Sequence, residues 1–206
     1  MNNREFLNLY HLWFDFPPDF VVCYGHRYKR KDAIIVQQTI LQEYAKLIAT
    51  MGVNVQPGQE VIIEAELDQP EFVTELVKAC YEAGARAVRV DWQHQPVALL
   101  HALHRSPEAL GEMREWEKTR LQDMVDTLPC RIYLESEDPD GMKDADPAKI
   151  SAAAQNRQRI AKPYRDQMEN RIQWCIAAVP GKSWAAKLFP DLPVEEAMEK
   201  LWEAIL

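Results

Sequence analysis

The sequence contains little glycine, with only seven in 206 residues. The segments directly after Leu67 and after Trp92, where a strand would connect to a helix, contain none. Nucleotide-binding α/β proteins bring phosphate groups close to a glycine-rich backbone at such a connection. A nucleotide-binding protein is therefore disfavoured.

Cysteine is also scarce, and the four residues are far apart with no CxxC pair. This argues against a zinc knuckle and against a disulfide framework. They are Cys23, Cys80, Cys130 and Cys175, of which we expect Cys80 and Cys175 in the core. A GxSxG motif is lacking too, and Ser136 lies among carboxylates that disfavour an alkoxide, so nucleophilic catalysis is not indicated.

Acidic residues outnumber basic ones, which gives a formal net charge of -8, and the one basic cluster covers residues 26–31. We therefore expect no nucleic-acid partner. The apolar stretch near the N-terminus is broken by Asp15, Pro17, Pro18 and Asp19, which excludes a spanning helix there and does not fit a signal peptide. We expect no membrane association and a cytoplasmic location.

Residues 59–92 predict a β-strand, a helix and a second β-strand. In the first strand Val61, Ile63, Ala65 and Leu67 share a face and Ile62 takes the other, as in a strand covered on both sides. Asp68 is predicted to cap a helix that buries a stripe through Leu76 and ends at Gly84. Such a unit has a right-handed crossover, so the second strand lies parallel to the first.

The rest of the chain continues the alternation of helices and strands. An amphipathic helix is predicted from Ala33 to Met51, a third strand around Ile132, and a long helix that begins at Asp146-Pro147. Residues 172–179 form the most apolar strand, which predicts a central position in the sheet. We expect an α/β layered domain, residues 33–206, with a mostly parallel sheet of about four strands flanked by helices.

Residues 1–32 differ from the rest in being aromatic-rich without a sustained period. We interpret them as an atypical N-terminal extension, in part disordered, with docking through Trp13, Phe14 and Phe16 as the alternative. The chain ends at Leu206 on an apolar helix residue, which favours a truncated protein, a frameshifted frame or an isolated domain.

Two groups of side chains are candidates for metal binding. Asp91, His94, His101 and His104 could converge from a strand end, a loop and one helix face, although exposed helix residues are the simpler interpretation. The second group is an acidic run, which lacks an EF-hand's ligands because Met142 and Lys149 stand at the fifth and twelfth positions, so a solvated turn is favoured. This run comprises Glu135, Glu137, Asp138, Asp140, Asp144 and Asp146.

Several motifs stand in the order found in one enzyme family. They are residues 44–92, Ser136-Glu137-Asp138-Pro139, Asp146-Pro147, Ala161-Lys162-Pro163-Tyr164-Arg165, Gln173-Trp174-Cys175 and the run from Trp184 to Pro190. Over residues 34–206 the chain resembles the N-terminal domain of the thermophilic metalloaminopeptidases of the aminopeptidase T and aminopeptidase S type.

The resemblance implies a metal-dependent aminopeptidase that removes N-terminal residues from peptides with two divalent metal ions, zinc, cobalt or magnesium. The family's metal ligands belong to its C-terminal half, so the resemblance assigns no catalytic, cofactor-binding or metal-binding residue here, and we expect this chain to be inactive alone. A homodimer is possible. The alternative is a non-catalytic α/β association domain, whose exposed apolar area would bind a partner.

Overall fold

The structure is a computed structural model that describes residues 20–23 and 26–206, with side chains described from Gln38 onward. It divides the chain into two units, residues 1–41 and 42–206. In the first unit β1 (Phe20–Cys23) pairs antiparallel with β2 (His26–Lys29). The predicted extension lies in large part outside the described residues, and its boundary at residue 32 stays a prediction.

The second unit contains a parallel sheet of four strands, which confirms the predicted fold class. The strand order is β4-β3-β5-β6, where the strands are β3 (Glu60–Glu66), β4 (Ala87–Gln93), β5 (Cys130–Glu135) and β6 (Trp174–Ala178). The α-helices in chain order are α1 (Arg30–Leu47), α2 (Pro70–Glu82), α3 (Gln95–His104), α4 (Pro107–Gly111), α5 (Glu115–Thr127), α6 (Pro147–Met168), α7 (Lys182–Leu188) and α8 (Val194–Ile205), and a π-helical turn, Ile48–Gly52, follows α1. No helix of the described residues is both long and apolar enough to cross a membrane.

The predicted strand–helix–strand unit is present as β3, α2 and β4. Leu76 and the stripe around it on α2 are buried, and Gly84 ends the helix segment with a φ of 105°. The predicted cap is wrong, because Gln69 is the N-cap and Pro70 begins the helix. Asp68 instead accepts a hydrogen bond from Ser136 at 3.1 Å.

The two faces of β3 are covered by different elements. An aromatic cluster joins three helices, since the Tyr44 ring lies 5.5 Å from Phe72 and 6.0 Å from Trp202 between centroids. On the opposite face Ile62 packs in a buried cluster with Met124, Val125 and Met168 of α5 and α6. This two-sided cover explains why the apolar run in β3 is nearly continuous.

The prediction that residues 172–179 form a central strand is wrong. β6 lies at the edge of the sheet and pairs only with β5 among the described strands. Trp174 and Ile176 remain 61% and 58% exposed. A continuous apolar run predicted two covered faces, but one face of β6 is open over most of its length.

Replacing Leu76 by alanine should reduce the free energy of unfolding by about 2–5 kcal/mol, because the side chain is fully buried and the substitution leaves a cavity. The matched control is Leu100→Ala on α3, where the leucine is half exposed and the loss should stay within about 0.5 kcal/mol. Urea unfolding of both variants measures the difference. Equal losses would show that the α2 face is not the buried one.

Candidate functional site

The candidate site is the carboxyl edge of the sheet between β3 and β5. The connection from β3 leads to β4 on one side, and the connection from β5 leads to β6 on the other. Parallel α/β sheets bind ligands in the crevice where the connections diverge in this way. The loop after β3 contains Leu67 and Asp68, and the loop after β5 begins at Ser136.

Buried polar side chains are concentrated in this crevice. The buried polar residues of the described chain are Glu66, Gln69 and Ser136, and all three follow or end these strands. Gln69 Nε2 donates to the carbonyl oxygen of Pro180 at 2.9 Å, and Ser136 Oγ donates to Asp68 Oδ1 at 3.1 Å. Each of these contacts joins two loops that are far apart in sequence.

Gln95 connects the first turn of α3 to the loop after β5. Its side-chain amide donates to the carbonyl oxygen of Asp138 and accepts from the Asp138 amide, both at 3.0 Å. Its backbone N–H donates to Glu66 Oε2 at 3.1 Å. Through these two hydrogen bonds the Gln95 side chain holds the loop that contains Asp138, and we call this contact the Gln95–Asp138 clamp.

Glycine allows the two loops to approach closely. A Cβ at Gly181 would lie 2.0 Å from the carbonyl oxygen of Ser136, and a Cβ at Gly141 would lie 2.3 Å from Gln95 Oε1. A side chain at Gly181 would thus displace the backbone. The two loops therefore approach so closely that their own atoms fill much of the crevice.

The electrostatic field of the crevice is negative. Partial loss of hydration raises the pKa of Glu137, and the neighbouring carboxylates of Glu135 and Glu66 raise it further. A cationic group would be favoured here over an anion. Three or more His, Cys, Asp or Glu side chains do not come close enough to hold a metal anywhere in the part of the chain that the structure describes.

The predicted histidine cluster is not brought together. Asp91 forms ion pairs with Arg120 and with Arg89, the latter at 3.6 Å. His94 is the N-cap of α3, and His101 and His104 lie exposed in the last turn of that helix. Asp91 therefore forms ion pairs, His94 begins a helix, and His101 and His104 lie on the surface of that helix.

The acidic run after β5 forms the predicted surface turn. Asp146 caps α6 by accepting from the amides of Ala148 and Lys149 at 2.9 and 3.4 Å. Asp140 accepts from Lys187 Nζ at 2.6 Å. Asp146 is thus used in helix capping and Asp140 in a surface ion pair.

The buried thiols are poor nucleophiles. Burial raises the pKa of Cys80 to about 12, with a smaller contribution from the neighbouring Cys130, and burial raises the pKa of Cys130 to about 11. Both thiols stay protonated at neutral pH, and only a thiolate attacks efficiently.

Residues 37–206 match the sequence profile of the thermophilic metalloprotease (M29) family. The chain belongs to this family. It is 33% identical over 166 residues to aminopeptidase 2 of Geobacillus stearothermophilus and 35% identical over 166 residues to aminopeptidase AmpS of Bacillus subtilis, in each case over 80% of this chain and 40% of the relative. The chain thus spans about 40% of the length of these relatives.

The fold is similar to that of the solved structure of wild-type AmpT from Thermus thermophilus. The two share a TM-score of 0.72 and 29% sequence identity over 82% of this chain and 43% of AmpT. The chain corresponds to the N-terminal part of the family's proteins. The family's name implies a metal in full-length members, yet no described group of donors in this chain fits one.

Replacing Gln95 by alanine should destabilise the protein by about 1–3 kcal/mol, since it leaves two part-buried backbone groups of Asp138 without a side-chain partner. Gln93→Ala is the matched control, because Gln93 is exposed and its bond to Glu64 is long at 3.5 Å. Denaturant melts measure both. If Gln93→Ala lowered the free energy of unfolding as much as Gln95→Ala, the structural role assigned to the Gln95 side chain would be wrong.

Replacing Glu137 by glutamine should raise the melting temperature at pH 7. The folded-state pKa of Glu137 lies above its unfolded value, so the native protein loses stability as the pH rises through the interval between them. The glutamine variant has no such loss. The gain should disappear at about pH 3.5, below the ordinary pKa of glutamate, and a gain that is equal at both pH values would refute this electrostatic explanation.

Proposed function

We propose that this chain is the N-terminal, scaffolding part of a metal-dependent aminopeptidase and does not hold the catalytic metals itself. The observation that carries the proposal is the match to aminopeptidases over four-fifths of this chain but only two-fifths of theirs. A match that long, together with the M29 profile over residues 37–206, supports a shared role in the same enzyme architecture.

The residues of this chain do not fit the two-metal site that such an enzyme requires. Hydrolysis by two metal ions needs several carboxylate and imidazole ligands that converge on ions about 3.5–4 Å apart. Asp91 is neutralised by two arginines, and the three candidate histidines are exposed, His94 at the N-cap of α3 and His101 and His104 in its last turn. We therefore assign no step of the reaction to this chain, and we attribute the zinc, cobalt or magnesium ions to polypeptide outside it.

Three further features remain part of this proposal. The substrate of the whole enzyme is a peptide with a free N-terminus, the location is the cytoplasm, and the chain forms a homodimer. The role left to the described residues is structural, because their buried polar groups bond to one another at the carboxyl edge.

The second candidate function is a non-catalytic association domain. It is favoured by the large apolar side chains that stay in contact with solvent. Trp116 is 62% exposed, and Val97, Leu100 and Leu103 form an exposed stripe along α3. Exposed apolar patches of this kind on a soluble domain indicate an interaction surface.

The purified 206-residue chain should not hydrolyse leucyl substrates when zinc, cobalt or magnesium is added, because it provides no converging set of ligands. Equilibrium dialysis should find less than one tightly bound metal per chain. The control is a mock purification from the same host, which measures contaminating peptidase.

Turnover that exceeds this control and disappears with a chelator would overturn the proposed scaffolding role. In that case His94→Ala and His101→Ala would locate the site, since loss of activity in both would assign metal chemistry to α3. Activity that both variants retain would place the ligands elsewhere in this chain.

A further inference from the structure

The outer edge of β6 has none of the features that normally protect the edge of a sheet. The strand has the sequence WCIAA, with no charged residue and no proline, and among the described strands it pairs only with β5. The opposite edge strand, β4, carries Arg89 and Asp91, which form an ion pair. Natural sheets protect their edges with charges, prolines or bulges, because an unprotected edge pairs with extended backbone that reaches it. β6 is therefore the edge that can accept a further strand.

The backbone of β6 directs one row of hydrogen-bonding groups away from the sheet. Residues 173 and 179 bond to β5 through the Gln173 oxygen and the Val179 N–H, so the odd-numbered residues from 173 to 179 face β5. Alternation along the strand directs the N–H and C=O groups of Trp174, Ile176 and Ala178 outward. The Ala178 oxygen accepts from a tyrosine hydroxyl, that of residue 44, at 3.1 Å and retains a second lone pair.

The side chains beside this edge form a shallow groove of about 350 Å³ on the open face of β5 and β6. The strand register places Arg131 next to Trp174, Tyr133 next to Ile176, and Glu135 next to Ala178. An added strand would place every second side chain on this same face. The groove is lined by Arg131, Tyr133, Glu135, Ile172, Trp174 and Ile176.

The two ends of the groove differ in the charge that they leave unpaired. Arg131 at one end forms an ion pair with Glu64. Glu135 at the other end is exposed, and its carboxylate forms no ion pair with any of the described residues. Partial burial raises the pKa of the nearby Glu137, and the charges of Glu135 and Glu66 raise it further. The groove thus has a neutral end and a negative end, and the negative end is complementary to a cationic side chain.

Ala178 leaves room for such a side chain to reach Glu135. Neighbouring strands are about 4.8 Å apart, so a residue paired with Ala178 on an added strand would lie about 10 Å from Glu135 between Cα atoms. A lysine or arginine and a glutamate together span this distance, and the small methyl group between them does not block the path. Ile176 and Trp174, by contrast, present large apolar surfaces that favour apolar neighbours on the added strand.

We propose that the β6 edge binds an extended segment of a partner polypeptide by antiparallel strand addition. The segment exchanges about six main-chain hydrogen bonds with Trp174, Ile176 and Ala178, two for each residue. The antiparallel direction is the more stable one per residue. Alternate side chains provide specificity, with a lysine or arginine opposite Ala178 and beside Glu135, and apolar residues opposite Ile176 and Trp174. This binding needs neither a metal ion nor turnover, so it goes beyond the proposed scaffolding role and does not depend on it.

Titration of the full chain with a peptide of sequence KTVTV tests the proposal. The peptide is acetylated and amidated, so that its lysine is its only charge. The amide NMR signals of Trp174, Ile176 and Ala178 should shift and become protected from hydrogen exchange. One short strand buries far less than the roughly 800 Å² per partner of a stable complex, so we expect a dissociation constant on the order of 1 mM.

Methylation of the peptide backbone distinguishes strand pairing from unspecific apolar contact. A methyl group on the nitrogen of the central valine removes an N–H that faces β6, and it should weaken binding roughly tenfold or more. The same methyl group on the threonine before it changes an N–H that points away from β6, which makes this peptide the matched control. Equal effects of the two methyl groups would overturn strand addition.

Exchange of side chains tests the specificity. A glutamate in place of the peptide's lysine should weaken binding about threefold, and Glu135→Gln should remove that difference. Trp174→Ala should weaken binding roughly fivefold or more. Trp116→Ala is the matched control, because that tryptophan is equally exposed but lies on α5. Thermal melts of the three variants verify that they remain folded.

Three further results would overturn the proposal. Unchanged amide signals of β6 up to about 10 mM peptide would assign this edge to the additional polypeptide that the longer relatives carry. Protection of the three outward amides before peptide is added would mean that another copy of the chain already covers them. Equal affinity of the lysine and glutamate peptides for the wild-type chain would show that Glu135 does not select a cationic residue.

Discussion

The burial of β3 on both faces is the constraint on which the rest of the second unit depends. Val61 and Ile63 are buried on one face, and Ile62 is buried on the other. A strand of this kind needs helices above and below it. The stripe of α2 provides the first layer, and the ends of α5 and α6 provide the second through Met124, Val125 and Met168.

This arrangement also explains where the buried polar groups are found. Parallel strands end together, so the loops that follow them bring backbone N–H and C=O groups into one crowded region. Gln69, Gln95 and Ser136 supply side-chain partners there, and the oxygen atoms of Glu66 and Asp68 accept hydrogen bonds. The edge of the sheet that often holds a ligand in α/β proteins is here occupied by contacts within the chain itself.

The family relationship and the surface chemistry are compatible. A domain that spans about 40% of the length of related aminopeptidases has its own core, yet its surface keeps Trp174, Ile176 and the apolar stripe of α3 exposed. The core accounts for folding, and these exposed residues lie outside it.

The sequence by itself determined the individual elements. The period of two through Val61 and Ile63, the helical stripe around Leu76 and the Asp146-Pro147 start of α6 predicted β3, α2 and α6, because each pattern is complete within a few neighbouring residues. The family motifs were likewise readable from consecutive residues and are supported by the M29 match. The absence of glycine after Leu67 disfavoured a phosphate site for the same local reason.

Only the tertiary structure decided the strand order and the partners of the polar side chains. An apolar strand such as β6 can lie at the centre or at an edge, and the choice depends on which distant helices cover it. The clamp between Gln95 and Asp138, 43 residues apart, has no local signal. Nor could sequence spacing decide whether His94 and His101 converge with Asp91, because Arg120, which neutralises Asp91, comes from a helix that only the folded chain brings near.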